Sequence, residues 1–202
     1  MTGLFGDDLP ELARPVSAPN LSTAVRQRRV EADDSRDDFP TPPWATRAVL
    51  RRLGISGGTC REPAANRGHM VRPLREVFDA VEASDVEDYG AGFAVRDYLA
   101  GGLPSVVDWT FTNPPFVLAE AFIERAIETS RRGVAVIVRS AFVEGGGRYE
   151  RLFGPRPPTA VFQFVERVVM HGGVMREPGV RYWDPEKNNG EGQPRGGWRT
   201  PS

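Results

Sequence analysis

The chain has 202 residues, of which 40% are hydrophobic and 26% charged, and its formal net charge is −1 at pH 7. This length and composition are typical of a soluble protein with one folded domain and flanking tails. No apolar run approaches the roughly 18 residues that a membrane-spanning helix needs. The first residues also lack the pattern of a secretory signal. We therefore expect a cytoplasmic protein with no membrane partner.

The counts of metal-binding residues exclude several kinds of site. Cys60 is the only cysteine, and His69 and His171 are the only histidines. One cysteine cannot form an internal disulfide, and these three residues are too few for the usual zinc sites. We expect no metal cofactor. Because the net charge is close to zero, any affinity for nucleic acid has to come from local groups of arginine.

Composition divides the chain into three parts. Residues 1–37 are interrupted by prolines and end in a strongly charged run, which predicts a flexible arm. Residues 38–171 carry alternating helix and strand patterns and are expected to form the folded domain. Residues 172–202 are rich in glycine, proline, asparagine and charge, which predicts a disordered or divergent tail.

The domain is expected to open with a helix. The segment Phe39-Pro40-Thr41-Pro42-Pro43 is stiff, and Thr41 is placed to cap a helix that carries prolines in its first turn. Gly54 is the residue type that ends helices, so this helix should stop at about Leu53.

A short strand and a turn of small residues come next. The strand ends at Glu62 and runs into Pro63-Ala64-Ala65-Asn66-Arg67-Gly68, after which a second helix should continue to about Phe78. A strand, an acidic residue, a turn of small residues and a helix form the arrangement of a nucleotide-binding loop. Asn66 stands where glycine would be ideal, although asparagine tolerates a positive φ better than most residues. An ordinary turn before a helix is the alternative.

Two aspartates follow. A second strand over residues 79–83 leads to Asp85, about 20 residues beyond the loop, where an acidic residue commonly binds ribose hydroxyls. Asp97 can accept a hydrogen bond from an adenine amino group. As alternatives, Asp85 is a solvated loop residue and Asp97 caps a turn. Glu87 and Asp88 compete with Asp85 for the ribose.

The most informative stretch is Asn113-Pro114-Pro115-Phe116, which follows a strand predicted over residues 106–112. Proline supplies no ladder N–H and keeps the preceding residue extended, so the strand should end in a stiff ledge, residues 113–116. The amide oxygen of Asn113 and the carbonyl of Pro114 can each accept a hydrogen bond from the amino group of a flat base. The ring of Phe116 can stack on that base. A plain strand-ending turn is the alternative.

The remaining patterns complete an α/β domain. A helix is predicted over residues 118–131, ended by Gly133, and an apolar strand over residues 134–138. A short turn or helix at 149–153 and a strand or hairpin arm at 159–170 follow. Strands that alternate with helices predict a mostly parallel sheet with helices on both faces.

The sequence resembles the Rossmann-like S-adenosylmethionine-dependent methyltransferases in four features that occur in the same order, at residues 41–42, 62–68, 85 and 113–116. Within that family it looks most like the phage-type and prophage-type amino-methyltransferases that modify adenine N6 in DNA. The resemblance covers residues 38–171. It implies a three-layer Rossmann-like fold, S-adenosylmethionine as cofactor, and double-stranded DNA with a flipped adenine as partner.

The resemblance also implies two sets of site residues. Those that surround the methionine, ribose and adenine parts of the cofactor are Phe39, Thr41, Pro42, Glu62, Ala64, Asn66, Gly68, Asp85 and Asp97. Those that hold the target amine are Asn113, Pro114, Pro115 and Phe116. Within the first set, the resemblance puts Asp85 on the ribose hydroxyls and Asp97 on the adenine.

Three alternative functions stay open at this point. The ledge also resembles those of RNA base methyltransferases and of enzymes that methylate glutamine side chains in proteins. A degenerate, non-catalytic protein of prophage origin is the third. Two departures motivate it: Asn66 replaces the usual first glycine of the loop, and no apolar strand follows Met170, so the C-terminal hairpin of such folds is expected to be incomplete. Cytosine N4 is disfavoured because that group usually has serine in place of Asn113.

Overall fold

A computed structural model describes residues 38–165, 168 and 170. Backbone contacts divide the chain into two units, residues 1–35 and 36–202, and every described residue belongs to the second. The predicted arm at residues 1–37, the predicted tail at residues 172–202 and the expected incomplete hairpin after Met170 therefore lie outside the described residues. No helix in the described part is long and apolar enough to cross a membrane.

The described residues form a five-stranded sheet in which every pairing is parallel. Its strands are β1 (Thr59–Glu62), β2 (Ala80–Asp85), β3 (Ala94–Val95), β4 (Val107–Thr112) and β5 (Ser130–Val136). Their spatial order is β3-β2-β1-β4-β5. The helices are α1 (Pro43–Leu53), α2 (Val71–Arg75), α3 (Ala119–Glu128) and α4 (Gly146–Arg148), and single helical turns lie at Ser140–Val143 and Tyr149–Phe153.

The strand order reverses at β1. The chain moves outward from β1 through β2 to β3, then crosses to the other side of β1 and continues from β4 to β5. Because parallel crossovers are right-handed, α2 and α3 lie on opposite faces of the sheet. This confirms the predicted Rossmann-like α/β fold. The reversal creates a crevice at the carboxyl ends of β1 and β4, where ligands bind in sheets of this kind.

The core on one face of the sheet is built by α1 and α2. Leu50 of α1 and Leu74 of α2 pack with Cys60 of β1 and Phe111 of β4, and all four are almost completely buried. The rings of Phe78 and Phe111 meet edge to face, with centroids 5.8 Å apart. Burial raises the pKa of the Cys60 thiol, so Cys60 is a small apolar core residue rather than a nucleophile.

Helix α1 ends at the predicted residue, Leu53, but its N-terminus differs from the expectation. Gly54 has φ 62° and its N–H donates to two carbonyls of the last turn, so it ends the helix as predicted. The N-cap is Pro42, which makes no side-chain hydrogen bond, and the predicted Thr41 cap is wrong. Pro43 occupies the first helical position, which puts Thr41 one residue too far away to cap.

The boundary between α3 and β5 also differs from the prediction of a helix over residues 118–131. The helix ends at Glu128, and Gly133 lies inside β5 instead of ending the helix. Thr129 causes this difference. Its Oγ1 donates to a carbonyl of the last turn at 2.8 Å, while its own carbonyl accepts from the N–H of Val107 at 3.1 Å. These bonds end the helix and bring the chain beside β4.

Three smaller elements differ from the sequence-based expectations. Strand β3 was not predicted, because two residues are too few to show a pattern. Helix α2 ends at Arg75, although a turn continues to Phe78. The strand or hairpin arm predicted over residues 159–170 is absent from residues 159–165, which are irregular and pair with none of the described strands.

Gly133 is required by the packing of Trp109, with which it pairs across β4 and β5. A Cβ at this position would overlap the indole ring. Gly133→Ala should therefore lower the free energy of unfolding by about 1–3 kcal/mol, as overpacked positions typically do. Gly146→Ala is the matched control, since a Cβ there meets no atom within 4 Å. Urea unfolding should show a lower midpoint for the first variant only; equal midpoints would mean that the ring moves aside without cost.

Candidate active site

Three predicted site residues lie at the carboxyl edge of the sheet. Glu62 ends β1, Asp85 ends β2 and Asn113 directly follows β4. Strand β1 is central and pairs with β2 on one side and β4 on the other. Because the strands are parallel, their carboxyl ends meet at one edge, and three motifs that are far apart in sequence converge there.

Glu62 is completely buried, and only one of its oxygens is hydrogen-bonded. Its Oε1 accepts from the N–H of Ala64 at 3.0 Å and from Thr112 Oγ1 at 2.7 Å. Its Oε2 is buried without a hydrogen-bond partner in the described part of the chain. Burial raises the pKa of Glu62 to about 8; the two hydrogen bonds reduce this effect and the Asp85 carboxylate adds to it. Such an oxygen is suited to accept a hydrogen bond from a ligand.

The loop after β1 is a compact turn with two left-handed residues. Asn66 has φ 48° and Gly68 has φ 80°, so both adopt the left-handed conformation. A Cβ at Gly68 would lie 2.8 Å from the ring of Phe93, which restricts this position to glycine. The N–H of Ala65 donates to the carbonyl of Ser84 at 2.9 Å and holds the loop against β2.

Asp85 holds the same loop through its carboxylate. Its Oδ2 accepts from the N–H of Asn66 at 2.8 Å, and its Oδ1 accepts from the N–H of Glu87 at 3.1 Å. A carboxylate has about four acceptor positions, so these two bonds leave room for ribose hydroxyls. The contact with Asn66 was not predicted, because the direction of a backbone N–H cannot be read from sequence spacing.

Asp97 is exposed and lies just after β3. Its Oδ1 accepts from the N–H of Leu99 at 2.8 Å, which is the turn that the sequence left open as an alternative. None of the hydrogen bonds among the described residues joins Asp97 to Glu62, Asp85 or Asn113. Its contact with adenine stays a prediction. In the same part of the chain, no group of three or more His, Cys, Asp and Glu residues is arranged to hold a metal ion.

The orientation of the Asn113 amide is set by its neighbours. Its Nδ2 donates to the carbonyl of Phe39 at 3.1 Å and faces the sulfur of Met170 at 3.7 Å. A carbonyl or thioether accepts hydrogen bonds and does not donate them, so the amide nitrogen has to face both groups. The amide oxygen of Asn113 therefore faces away from Phe39 as a hydrogen-bond acceptor.

Aromatic and charged residues surround the ledge. The rings of Phe39 and Phe116 lie 5.5 Å apart with a tilt of 38°, and the guanidinium of Arg139 lies 3.8 Å from the centre of the Phe116 ring. Beside the loop, Arg67 Nη1 and Asp38 Oδ1 form an ion pair at 2.7 Å. These contacts were not predicted from the sequence, because no local pattern shows which distant residues the assembled sheet brings together.

The remaining predicted residues support the site. Thr41, Pro42 and Pro114 are buried. The carbonyl of Pro115 accepts from the N–H of Leu118 at 3.0 Å, so the ledge passes directly into α3. The prolines therefore connect the end of β4 to the start of α3. Their fixed φ angles make this backbone stiff, which restricts the position of the Asn113 side chain.

Comparison with known proteins identified several solved structures with a related fold, among them the two that follow. No family model and no curated protein matches the sequence. A candidate RNA methyltransferase from Pyrococcus horikoshii is 18% identical, with a TM-score of 0.45 over 57% of this chain and 66% of that chain. A candidate S-adenosylmethionine-dependent methyltransferase from Methanococcus maripaludis is 16% identical, with a TM-score of 0.35 over 46% and 54%. This chain thus spans less than two thirds of either structure. Such likeness reflects fold alone, and the fold assignment rests on the strand order.

The ionisation of Glu62 should make the protein less stable as the pH rises. In the unfolded chain this carboxyl ionises near its ordinary pKa of 4.5, but in the folded protein it keeps its proton to about pH 8. Between these values the folded state binds the extra proton, so the free energy of unfolding falls with rising pH and levels off above about pH 8. Relative to Glu62→Gln, which cannot ionise, the loss should be on the order of a few kcal/mol.

Urea unfolding of both proteins between about pH 5 and about pH 9 measures this difference. The wild-type protein should lose stability relative to Glu62→Gln as the pH rises to about 8, and the difference should then stay constant. A constant difference across the whole range would mean that Glu62 ionises normally in the folded protein.

Proposed function

We propose that this protein transfers a methyl group from S-adenosylmethionine to an exocyclic amino group, with adenine N6 in DNA as the favoured substrate. The orientation of Asn113 carries the proposal, because the Phe39 carbonyl holds its amide nitrogen and turns its oxygen outward. That oxygen is a hydrogen-bond acceptor on a rigid ledge, at the edge of the sheet where ligands bind in this fold. An amino group with two N–H donors requires acceptors in such a place.

The residues around β1 fit a cofactor that carries an ammonium group and a ribose. Once the Glu62 carboxyl has released its proton, its unpartnered Oε2 can accept from the ammonium, and the positive charge favours that ionisation. The left-handed turn at Asn66 and Gly68 lets a ligand approach the backbone closely. When bound, S-adenosylmethionine supplies a methyl group that is activated by a positively charged sulfur. The proposed cofactor-binding residues are Phe39, Thr41, Pro42, Glu62, Ala64, Asn66, Gly68, Asp85 and Asp97.

The ledge contributes by holding the amine. An exocyclic amine on a base is a weak nucleophile, because its lone pair is delocalised into the ring. If Asn113 Oδ1 and the Pro114 carbonyl each accept one N–H, the hydrogens leave the ring plane and the lone pair localises on nitrogen. As the nitrogen bonds to the methyl carbon, the bond from that carbon to sulfur would break and its electron pair would stay on sulfur. Neither acceptor is a base, so one amine proton passes to water. Alignment of this kind contributes roughly 7–11 kcal/mol in favourable cases.

The proposal is most specific where it names DNA as the molecule that receives the methyl group. In duplex DNA the target base has to leave the helix, at a cost of a few kcal/mol, and we assign Phe116 to stack on the flipped base. Arg139 beside Phe116 brings a positive charge that suits a phosphate. RNA bases and protein glutamine also present planar amines, and only the sequence resemblance favours DNA among them.

The geometry of the loop supports a cofactor-binding protein over a degenerate one. Asn66 takes the left-handed conformation for which glycine is usually chosen, with φ 48°. Its N–H and the carboxylate of Asp85 stay within hydrogen-bond distance. The replacement therefore keeps the backbone path that a cofactor needs.

Methyl transfer from isotope-labelled S-adenosylmethionine tests the proposal, with unmethylated duplex DNA, RNA and a protein extract as parallel acceptors. Nucleoside mass spectrometry then identifies the product. N6-methyladenine in DNA supports the full proposal, while label only in RNA or protein keeps the chemistry and corrects the acceptor. Folded protein that labels none of them and binds no S-adenosylhomocysteine would overturn it.

Asn113→Ala should lower kcat about 100-fold or more, as removal of a positioned hydrogen-bonding group typically does. The affinity for S-adenosylhomocysteine, measured by calorimetry, should change little, because Asn113 is assigned to the amine. Val117→Ala is the matched control: this neighbour is 92% exposed and should keep full activity. An equal loss of transfer and of cofactor affinity in Asn113→Ala would contradict the assigned role.

Asp85→Ala should weaken the binding of S-adenosylhomocysteine roughly 10-fold or more, because both a ribose acceptor and the bond to the Asn66 N–H are lost. Asp88→Ala is the control, since Asp88 accepts only from Gly90 in the next turn among the described hydrogen bonds. Calorimetric titration measures both. Unchanged affinity in Asp85→Ala would remove Asp85 from the cofactor site.

A further inference from the structure

Asp38 connects the start of the domain to the loop after β1. Its Oδ1 accepts from Asn66 Nδ2 at 2.7 Å and from Arg67 Nη1 at 2.7 Å, and its Oδ2 lies 3.0 Å from the same Nη1. Burial tends to raise the pKa of Asp38, but the bonds from Arg67 and Asn66 outweigh it and the pKa is lowered. The Asp38 side chain is 19% exposed, so this ion pair is partly shielded from water.

Both the nitrogen and the oxygen of the Asn66 side-chain amide make hydrogen bonds in this connection. Its Nδ2 donates to Asp38, while its Oδ1 accepts from the N–H and the Nη1 of Arg67 at 2.7 Å and 3.2 Å. A glycine at this position could adopt the same backbone conformation but would make none of these bonds. Arg67 is held further by the ring of Tyr89, 5.0 Å from its guanidinium carbon.

Phe39, the next residue after Asp38, contacts the ledge twice. Its carbonyl accepts from Asn113 Nδ2 at 3.1 Å, and its ring packs against Phe116. Only the φ and ψ of Phe39 separate the planar Asp38–Phe39 peptide unit from the Phe39 carbonyl, and the following Pro40 restricts both angles, so fixing the Asp38 side chain limits where that carbonyl lies. A continuous series of bonds therefore leads from Asn66 in the loop to the amide of Asn113.

We propose that Asp38 and Asn66 are positioning residues: they hold the strap formed by residues 38–39 so that the Phe39 carbonyl orients the Asn113 amide toward the substrate amine. This inference rests on the proposed function. It also explains the asparagine in the loop, whose side chain links the cofactor loop to the ledge. The effect on catalysis passes through Phe39 and not through contact of Asp38 with substrate.

Kinetics of Asp38→Ala, Asp38→Asn and Asn66→Gly test the proposal. Asp38→Ala and Asn66→Gly should each lower kcat about 10-fold, since a misplaced catalytic group is costly even at small displacements. Their combination should be no worse than Asp38→Ala alone, because both changes break the same connection. Asp38→Asn keeps an acceptor oxygen for Asn66 and should recover most of the kcat.

The matched control is Glu76→Ala, which removes the surface ion pair between Arg47 and Glu76 away from the ledge and should leave kcat unchanged. Asn66→Gly is the most informative variant. It restores the residue that the resembled family usually has, so a merely structural account expects equal or higher activity. A kcat at or above that of the wild-type protein would overturn the proposal, and so would additive losses in the double variant.

Hydrogen exchange separates failure of the strap from failure of the proposed function. In the absence of any cofactor, Asp38→Ala should speed hydrogen exchange in peptides that cover residues 62–70. The Asn66 side chain loses its hydrogen bond to Asp38 in this variant, so the loop is held less firmly. Unchanged exchange there would overturn the strap. Faster exchange in a protein that binds no S-adenosylhomocysteine would support the strap and overturn its catalytic role together with the proposed function.

Discussion

The site depends on one buried carboxyl group. Glu62 lies at the end of the central strand, where Thr112 of β4 and the N–H of Ala64 in the loop both donate to its Oε1. These two bonds join the loop to the strand that carries the ledge. Complete burial makes the charged form of the carboxyl costly, and Oε2 has no partner among the described residues. A cationic ligand that donates to Oε2 would stabilise the charged form and offset this cost, so binding and ionisation of Glu62 should be coupled.

Two left-handed backbone conformations lie close to this carboxyl in the chain. Asn66 and Gly68 adopt positive φ within a few residues of Glu62. On the face of the sheet under α1 and α2, Leu50 and Leu74 belong to a core of ordinary apolar packing. Proteins tolerate strained backbone and incompletely bonded polar groups mainly where a ligand or a reaction uses them, because elsewhere they only cost stability. Among the described residues Asn66 is the one non-glycine residue with a positive φ, and it lies in the loop that follows the unpartnered Glu62 Oε2, which supports this edge of the sheet as the functional one.

Much of the fold could be predicted from the sequence, because it depends on interactions between near neighbours in the chain. Gly54 ends α1, and Pro114 ends β4 at the predicted residue, because each effect depends on one residue and its immediate neighbours. The three motifs at the ends of β1, β2 and β4 were placed correctly, since apolar runs predict strands and turns predict their ends. Two of the failures, at the Thr41 cap and the α3–β5 boundary, arose where a distant partner or an adjacent proline decided between two plausible ends.

The sequence by itself therefore determined the parallel α/β architecture and the positions of the acidic residues and the ledge at its carboxyl edge. Only the tertiary structure decided which groups bond across that edge: Thr112 to Glu62, the Asn66 N–H to Asp85, and the Asn113 amide to the Phe39 carbonyl. The reason is physical. A strand or turn forms from interactions between near neighbours, whereas these bonds join residues 19 to 74 positions apart and exist only once strand order and register are set.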